Sequence, residues 1–260
     1  MTADGRYDVF CRSFDCYVSQ TYPNTELVIV NEGSKEYQRK IADKAQGRTD
    51  VKLIFLDGEY TLGALRNISI SLCEGDLFVQ WDDDDFNMPE RLSVQYAYLS
   101  KHKKARVCYL TDQLHYYFNL NQLYWENWQK FLSAQIKEFS LIPGTIMAYK
   151  EGFDFAYPSA GKFAAAGEDS ILAHDLCKQD DRVVLLEGIG YLHVYSFHGN
   201  NVWGLDHHQN ISTGRSESAS HMRKHRDQIS RTLNHLNFAP EIKVMGRDGL
   251  GFIHGGISFA

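Results

Sequence analysis

The chain has 260 residues, of which 43% are hydrophobic and 13% aromatic. That composition can bury a sizeable core, so it excludes a mainly disordered chain. The formal net charge of −6 argues against nucleic acid as a partner and against a polybasic membrane anchor. No apolar run approaches the roughly 20 residues of a transmembrane helix, and the N-terminus lacks the pattern of a secretion signal. We therefore expect a globular cytoplasmic protein without a transmembrane segment.

The cysteines show no C-x-x-C spacing, and their number is odd. Such scattered cysteines are more typical of small buried hydrophobic residues in a reducing compartment than of disulfides or a thiolate metal site. We expect all five to be free thiols: Cys11, Cys16, Cys73, Cys108 and Cys177.

The first part of the chain alternates between helical and strand patterns. Helices are predicted from about residue 7 to 20 and over 36–45 and 62–72, with another that begins near Pro89. Strands are predicted over 26–30, 51–56 and 77–81. Short, nearly apolar strands alternating with helices indicate an α/β fold with helices on both faces of a mostly parallel sheet.

The pattern loosens after about residue 105. Strands are predicted over 107–110, 146–149, 182–186 and 191–195, with helices near 122–133 and 168–178. A basic amphipathic helix is expected over 216–236, followed by a glycine-rich tail. We predict one domain over residues 1–205 and a C-terminal helical extension over 206–260, which could pack on the domain, form a homodimer or touch a membrane face.

Two polar turns follow predicted strands, Asn31–Ser34 and Asp82–Asp85. Ligands of open α/β sheets bind beyond the carboxyl ends of the strands, so these turns are expected to line one crevice. Adjacent carboxylates repel one another and are tolerated in water or around a cation. The run Asp82–Asp85 therefore indicates a Mg²⁺ or Mn²⁺ site, with a solvated acidic turn as the alternative.

Five segments in order resemble the family 2 glycosyltransferases, which have the A-type nucleotide-sugar fold, a Rossmann-like mixed sheet flanked by helices. The resemblance covers roughly residues 6–200. The first matching segment is Gln20-Thr21-Tyr22-Pro23 with the strand predicted over 26–30 and Gly33-Ser34. The other four are Leu65-Arg66-Asn67, Asp82–Asp85, Pro89-Glu90-Arg91-Leu92 and Gly167-Glu168-Asp169.

The resemblance implies roles for the acidic run. Asp82 and Asp84 match the D-x-D pair, which binds the metal and the ribose of a nucleoside diphosphate sugar, with Asp84 the closer metal ligand. Asp83 would also contact the nucleotide sugar, and Asp85 matches a further acidic position. A cation there would stabilise the charge that develops on the diphosphate leaving group, so Mn²⁺ or Mg²⁺ is the expected cofactor.

Glu168 and Asp169 match the acidic pair of the family at a helix start. The resemblance makes Asp169 the general base that deprotonates an acceptor hydroxyl as it attacks the anomeric carbon with inversion. Helix capping and interaction with the helix dipole are the alternative for both residues.

Other nucleotide-sugar contacts follow from the same resemblance. Asn31 and Glu32 stand where the family usually has two aspartates, so the nucleobase stays open, with uracil favoured. Arg66 matches a position near the nucleotide, and a surface salt bridge is its alternative. His198 matches a histidine that could complete the metal shell, and an ordinary loop histidine is the alternative.

Two further segments invite a functional interpretation. An aromatic stretch could form an acceptor platform, although packing in the core is the favoured interpretation: Tyr116, Tyr117, Tyr124, Trp125 and Trp128. Pro143-Gly144-Thr145 matches a small-residue segment that lines the donor sugar in the family.

The chain departs from the family at its start. Family members begin with a β-strand that precedes the first helix, whereas the helical pattern here begins by about residue 7. We expect that central strand to be lacking.

The leading hypothesis is a metal-dependent inverting glycosyltransferase that uses a nucleoside diphosphate sugar, with UDP-linked donors favoured and an unknown glycan, lipid or protein acceptor. A catalytically inactive module that binds nucleotide sugars is the first alternative. A nucleotidyltransferase is the second, although such enzymes usually carry a glycine-rich basic phosphate loop that this chain lacks.

Overall fold

The computed structural model describes residues 5–130, 137–152, 154 and 156–255. Up to residue 110 the elements are α1 (Tyr7–Val18), β1 (Leu27–Asn31), α2 (Lys35–Lys44), β2 (Val51–Phe55), α3 (Leu62–Leu72), β3 (Leu77–Val79), β4 (Phe86–Asn87), α4 (Arg91–Lys101) and β5 (Val107–Leu110). The elements that follow are β6 (Asp112–Tyr117), β7 (Gln122–Asn127), β8 (Met147–Tyr149), α5 (Glu168–Cys177), β9 (Val183–Leu186), β10 (His193–Phe197), α6 (Leu205–Arg215), α7 (Ala219–Lys224), α8 (Arg226–Leu236), β11 (Glu241–Gly246) and β12 (Gly249–Gly255).

Local sequence explains where the early helices begin. The Ser34 hydroxyl accepts a hydrogen bond from the Tyr37 amide at 3.2 Å and caps α2, and the Thr61 hydroxyl accepts one from Ala64 at 3.3 Å and caps α3. Helical spacing places Phe10 and Phe14 on the buried side of α1. These helices therefore follow from capping residues and apolar periodicity.

The chain divides into two compact units, each made of discontinuous stretches. The first unit comprises Met1–Asp84, Leu92–Tyr109 and Pro143–Leu185. In it β1 pairs with β2 in parallel, from Leu27 opposite Val51 to Asn31 opposite Phe55. A second sheet has the order β3-β8-β5-β9, and β8 is antiparallel to both β3 and β5.

The second unit comprises Asp85–Arg91, Leu110–Ile142 and Leu186–Ala260. Its sheet has the order β12-β11-β7-β6-β10-β4. β10 runs parallel to β6 and β11 runs parallel to β7, whereas the remaining neighbours are antiparallel. The α/β fold with mixed sheets and flanking helices is thus confirmed, and the proposed boundary near residue 205 stays a prediction.

The helix predicted over 122–133 is wrong where the structure describes it. Residues 122–127 form β7 antiparallel to β6, a short 3₁₀ turn covers 128–130, and residues 131–133 lie outside the described part. Leu123 and Trp125 point into the core at a spacing of two, which is the period of a strand. The many aromatic residues of the segment made the alternation of buried and exposed positions hard to recognise in the sequence.

The C-terminal part also differs from the prediction. The single helix expected over 216–236 is interrupted at His225, so it forms α7 and α8. The glycine-rich tail contains the hairpin β11–β12. α6 lies within the helical extension expected over 206–260, but it was not predicted as a separate helix. Of the residues in α6 only His208 and Ser212 are buried, so no apolar periodicity marked that helix.

Other sequence predictions are confirmed. All five cysteines are free thiols. Tyr116, Tyr117 and Trp125 are at most 2% exposed, which supports core packing for most of the aromatic stretch. None of the helices in the described residues has the length and apolarity needed to cross a membrane.

Candidate functional site

The acidic run follows β3, and its first residue, Asp82, is held against α1 within the first unit. The Ser13 hydroxyl donates a hydrogen bond to the Asp82 carbonyl at 2.8 Å, and the Trp81 indole donates one to the Ser13 carbonyl at 3.3 Å. These reciprocal bonds fix the backbone where β3 leads into the carboxylates. The turn is therefore a positioned structure rather than a loose solvated loop.

Arg66 joins two of the predicted site residues. Its Nη1 lies 2.8 Å from Asp82 Oδ1, and its Nε lies 2.9 Å from Glu168 Oε1. Glu168 is only 2% exposed and Arg66 only 13%. One guanidinium thus neutralises carboxylates from two distant parts of the chain, an arrangement that Arg forms readily because its donors are arranged as a fork.

The electrostatics of this cluster follow from burial and pairing. Burial alone would lower the pKa of Arg66, but the negative charges of Asp82 and Glu168 overcome it and the pKa is raised. Burial alone would raise the pKa of Asp82, yet Arg66 holds it below its usual value. For Glu168 burial outweighs Arg66, so the pKa of this carboxyl is raised.

Arg6 forms ion pairs with the next two aspartates of the acidic run. Its Nη2 lies 2.6 Å from Asp83 Oδ1 and its Nη1 lies 2.7 Å from Asp84 Oδ2. Two guanidinium groups, from Arg6 and Arg66, therefore bind three successive aspartates. Arg6 was not predicted as a site residue, because a single arginine ahead of a helix belongs to no recognisable motif.

Some side chains of the acidic run have the chemistry of divalent-cation ligands. Carboxylate oxygens are the ligands that Mg²⁺ and Mn²⁺ prefer, and Asp82 and Asp84 supply them. Within the described residues, however, no group of three or more His, Cys, Asp or Glu side chains is arranged to hold a metal ion. The chemistry of the residues fits such an ion provided that Arg6 leaves Asp84.

Asp169 lies in the first turn of α5, after Gly167, whose positive φ of 83° suits glycine at this entry. Its Oδ1 accepts a hydrogen bond from the Ser170 amide at 2.6 Å. Burial raises the pKa of Asp169, and the charges of Arg66 and Asp82 lie close enough to act on it. A carboxylate with a raised pKa beside this cluster has the properties of a general base.

Glycine and amide groups complete the surroundings of Asp82. Gln80 Nε2 donates to Asp82 Oδ2 at 2.9 Å, and the Tyr157 hydroxyl donates to Gln80 Oε1 at 2.7 Å. A Cβ on Gly144 would come within 3.4 Å of Asp82 Oδ2, so the predicted Pro143–Thr145 segment does lie beside the acidic run. Gln80 and Tyr157 were not predicted, because neither belongs to a recognisable spacing.

The turn after β1 holds Asn31 and Glu32. Asn31 is fully buried and its Oδ1 accepts a hydrogen bond from the Gly33 amide at 2.9 Å. Glu32 Oε2 accepts one from the Tyr60 amide at 2.7 Å. Asn31 thus stabilises its own turn, whereas Glu32 links that turn to the segment after β2. Contact of either side chain with a nucleotide stays a prediction.

Two predicted residues belong to the second unit. Asp85 accepts a hydrogen bond from the Ser196 amide at 3.3 Å and lies 3.7 Å from His193 Nε2. His198 Nδ1 accepts a hydrogen bond from the Asn200 amide at 3.3 Å. His198 as a metal ligand therefore stays a prediction.

Comparisons with known proteins agree on the family. The model of "Glycosyl transferase family 2" matches residues 2–156. The chain is 33% identical to EpsE of Bacillus subtilis over 97 residues, which is 36% of this chain and 35% of that protein. It is 30% identical to the O-antigen biosynthesis glycosyltransferase WbnJ of Escherichia coli over 97 residues, 36% of this chain and 38% of that one. The match thus spans about a third of each relative.

Solved structures show the same fold. TarS 1-349 of S. aureus in complex with UDP-GlcNAc superposes with a TM-score of 0.56 at 14% identity, covering 89% of this chain and 65% of that one. Another crystal structure of TarS 1-349 gives a TM-score of 0.53 at 13% identity, covering 90% and 78%. At these identities the likeness is one of fold.

Proposed function

This chain belongs to glycosyl transferase family 2, and we propose that it transfers a sugar from a nucleoside diphosphate sugar to an acceptor hydroxyl. The observation that carries the proposal is the cluster in which Arg66 holds Asp82 and Glu168 beside Asp169. The cluster holds the carboxylates of Asp82 and Glu168 in place and sets beside them a carboxyl of raised pKa that can accept a hydroxyl proton.

The proposed step is a single displacement with inversion. The acceptor oxygen forms a bond to the anomeric carbon, and the bond from that carbon to the diphosphate oxygen breaks. The bonding electron pair leaves with the nucleoside diphosphate, and the acceptor proton passes to the Asp169 carboxylate. Arg66 keeps Asp82 ionised and holds both Asp82 and Glu168 in place while charge develops on the leaving group.

A Mn²⁺ or Mg²⁺ ion bound by Asp84 and Asp82 would offset the negative charge of the diphosphate. In the described structure Arg6 holds Asp83 and Asp84 instead, so metal and Arg6 compete for the same carboxylate.

UDP-linked donors are the favoured substrates. The support is the solved TarS structure with UDP-GlcNAc, whose fold this chain shares. Asn31 and Glu32 at the end of β1 are the candidate contacts to the nucleoside. The acceptor is an unidentified glycan, lipid or protein.

A second candidate is a module that binds nucleotide sugars without catalysis. The observation that favours it is the Arg6 guanidinium on Asp83 and Asp84, which neutralises the carboxylates a metal would need. The two candidates differ in donor turnover, because a transferase also transfers sugar slowly to water.

The test is release of UDP from a panel of UDP-sugars in the presence of Mn²⁺, compared between the wild type and Asp169→Asn. We expect one donor to be turned over by the wild type and not by the variant. Asp175→Asn, on the same helix but paired with Lys178, serves as the matched control and should retain activity. Binding of the donor without turnover by any of these proteins would support the module and contradict the transferase.

A further inference from the structure

Phe163 is an exposed aromatic side chain at the entry to α5. It is 44% exposed, and among the described residues 156–170 it is the only large apolar side chain at the surface. A Cβ on Gly167 would come within 3.8 Å of Phe163 Cδ1, so the ring lies against the residue two positions before Asp169. An aromatic ring and the candidate base thus share the entry to one helix.

The loop that carries Phe163 is bound to α3 on both sides of the ring. Asn67 Nδ2 donates to the Tyr157 carbonyl at 2.8 Å, and the Tyr157 amide donates to Asn67 Oδ1 at 2.9 Å. The Gly63 amide donates to the Ala164 carbonyl at 2.9 Å, and Ala164 is only 1% exposed. The loop therefore buries a small side chain and holds the much larger Phe163 in water, the opposite of what burial of apolar area favours.

Asp169 uses only one of its carboxylate oxygens within the chain. The Ser170 amide and the Ser170 hydroxyl both donate to Asp169 Oδ1, at 2.6 Å and 3.3 Å. In the part of the chain that the structure describes, Oδ2 accepts no hydrogen bond. A molecule that donates a hydroxyl to Oδ2 would therefore lie at the entry to α5, where Phe163 is also exposed.

The surroundings of Phe163 distinguish between classes of acceptor. Lys162 Nζ lies 5.3 Å from the centre of the ring, and Lys162 forms no ion pair with a described residue. A lipid would need a broader apolar surface than one ring, and an extended peptide would need a strand edge, which the described residues 156–167 do not contain. A sugar ring fits, because its C–H face can pack on an aromatic ring while its hydroxyls accept from an ammonium group.

We propose that the acceptor is a glycan and that Phe163 is the surface on which its terminal sugar stacks. The C–H face of that sugar would pack on Phe163, Lys162 would donate to its hydroxyls, and the reacting hydroxyl would donate to Asp169 Oδ2. The inference rests on the proposed function, because it takes Asp169 as the base of the transfer. It goes beyond that function by selecting a glycan over a lipid or a protein.

The first experiment measures how acceptors change the release of UDP from the donor that the wild type turns over. The probes are trisaccharides with terminal glucose, galactose, mannose, rhamnose or N-acetylglucosamine, compared with a short serine-containing peptide and with phosphatidylglycerol vesicles. We expect a trisaccharide to accelerate UDP release and the peptide and vesicles not to do so. Release to water that no trisaccharide accelerates would overturn the inference and leave the proposed function intact, whereas absence of any release would contradict both.

Substitutions of two equally exposed phenylalanines test the residue itself. Phe163→Ala should raise the KM for the trisaccharide about tenfold with a much smaller change in kcat, because it removes a stacking contact and no reacting group. Phe163→Tyr keeps a flat ring and should keep the wild-type KM. Phe139→Ala removes another phenylalanine that is 44% exposed and should leave the KM unchanged. A KM for Phe163→Ala equal to that of the wild type would overturn the assignment.

Phe163→Trp gives a readout that does not depend on turnover. The added indole should lose contact with water when the trisaccharide stacks on it, so its fluorescence emission should shift to shorter wavelength, after subtraction of the wild-type signal. Phe139→Trp is the matched control and should show no shift. Unshifted emission from Phe163→Trp at a trisaccharide concentration that saturates turnover would show that the acceptor binds elsewhere.

Discussion

The Nη1 atom of Arg6 lies 2.7 Å from Asp84 Oδ2. This ion pair places a side-chain cation on the carboxylate that the family resemblance assigns to a metal. A guanidinium and a divalent ion on the same carboxylate repel each other, because both carry positive charge. We therefore expect binding of a cation to the acidic run to be opposed by Arg6.

Replacing Arg6 should strengthen metal binding. In Arg6→Ala the carboxylates of Asp83 and Asp84 lose their counter-ion, and Mn²⁺ affinity should rise roughly tenfold, equal to about 1.4 kcal/mol. Calorimetric titration of Mn²⁺ without nucleotide measures this directly. Arg39→Ala on the exposed side of α2 is the control and should bind like the wild type. Equal affinities for Arg6→Ala and the wild type would refute the competition.

Replacing Arg66 should destabilise the protein. Arg66→Ala leaves the carboxylates of Asp82 and Glu168 partly buried without a counter-ion, at a cost of about 3 kcal/mol. Arg66→Lys keeps the charge but cannot bridge both carboxylates, so its loss should be smaller. Urea unfolding at neutral pH measures the stability of both variants, and we expect Arg66→Lys to be more stable than Arg66→Ala. A fully stable Arg66→Ala protein would show that the bridge contributes nothing.

The proposed role of Asp169 as the general base predicts that turnover depends on pH. The base must be ionised to accept the proton, and burial raises its pKa. Turnover should therefore fall as the pH is lowered through that raised pKa and remain level above it. Asp169→Asn should lower the turnover number by about 10²–10⁴-fold while donor affinity is retained. A variant with unchanged turnover would remove Asp169 from the mechanism.

Protonation of the buried His208 should destabilise the folded protein in acid. Burial, with the charges of His115 and His207, lowers its pKa to about 4 from the usual 6.5. The unfolded chain then binds the proton more readily than the folded one, so unfolding free energy should fall by an amount on the order of 2 kcal/mol between pH 6.5 and 4.

His208→Phe tests that assignment in the second unit. The ring would keep its packing against Tyr195 and Phe197 while the titrating group is removed. Denaturant unfolding across this pH range should show a flatter profile than the wild type. His235→Phe changes an exposed histidine and should keep the wild-type dependence of the unfolding free energy on pH. The same dependence in His208→Phe would contradict the assignment to His208.

The parts of the fold that could be predicted are those specified locally. The early helices and strands were found because capping residues and apolar periodicity act within a few residues, as at Ser34 and Thr61. β7 was missed because its pairing with β6 depends on residues that only the folded chain brings together. α6 was missed because it buries His208 and Ser212 in polar contacts rather than apolar ones.

The candidate site shows the same limit. Asp82, Glu168 and Arg66 were predicted individually, but the bridge between them joins residues 102 positions apart. Arg6 reaches Asp83 across 77 positions and has no local pattern. Motifs thus indicated the candidate side chains, whereas their counter-ions required the folded structure.

The most direct test of the account is a calorimetric titration of UDP into the protein with Mn²⁺ and then with EDTA. We predict binding with Mn²⁺ that is lost with EDTA and in Asp84→Asn. It should persist in Asp57→Asn, which changes an exposed aspartate paired with Lys35. Absence of UDP binding by the wild type under both conditions would contradict the proposal that the acidic run beside Arg66 binds the diphosphate of a UDP-sugar.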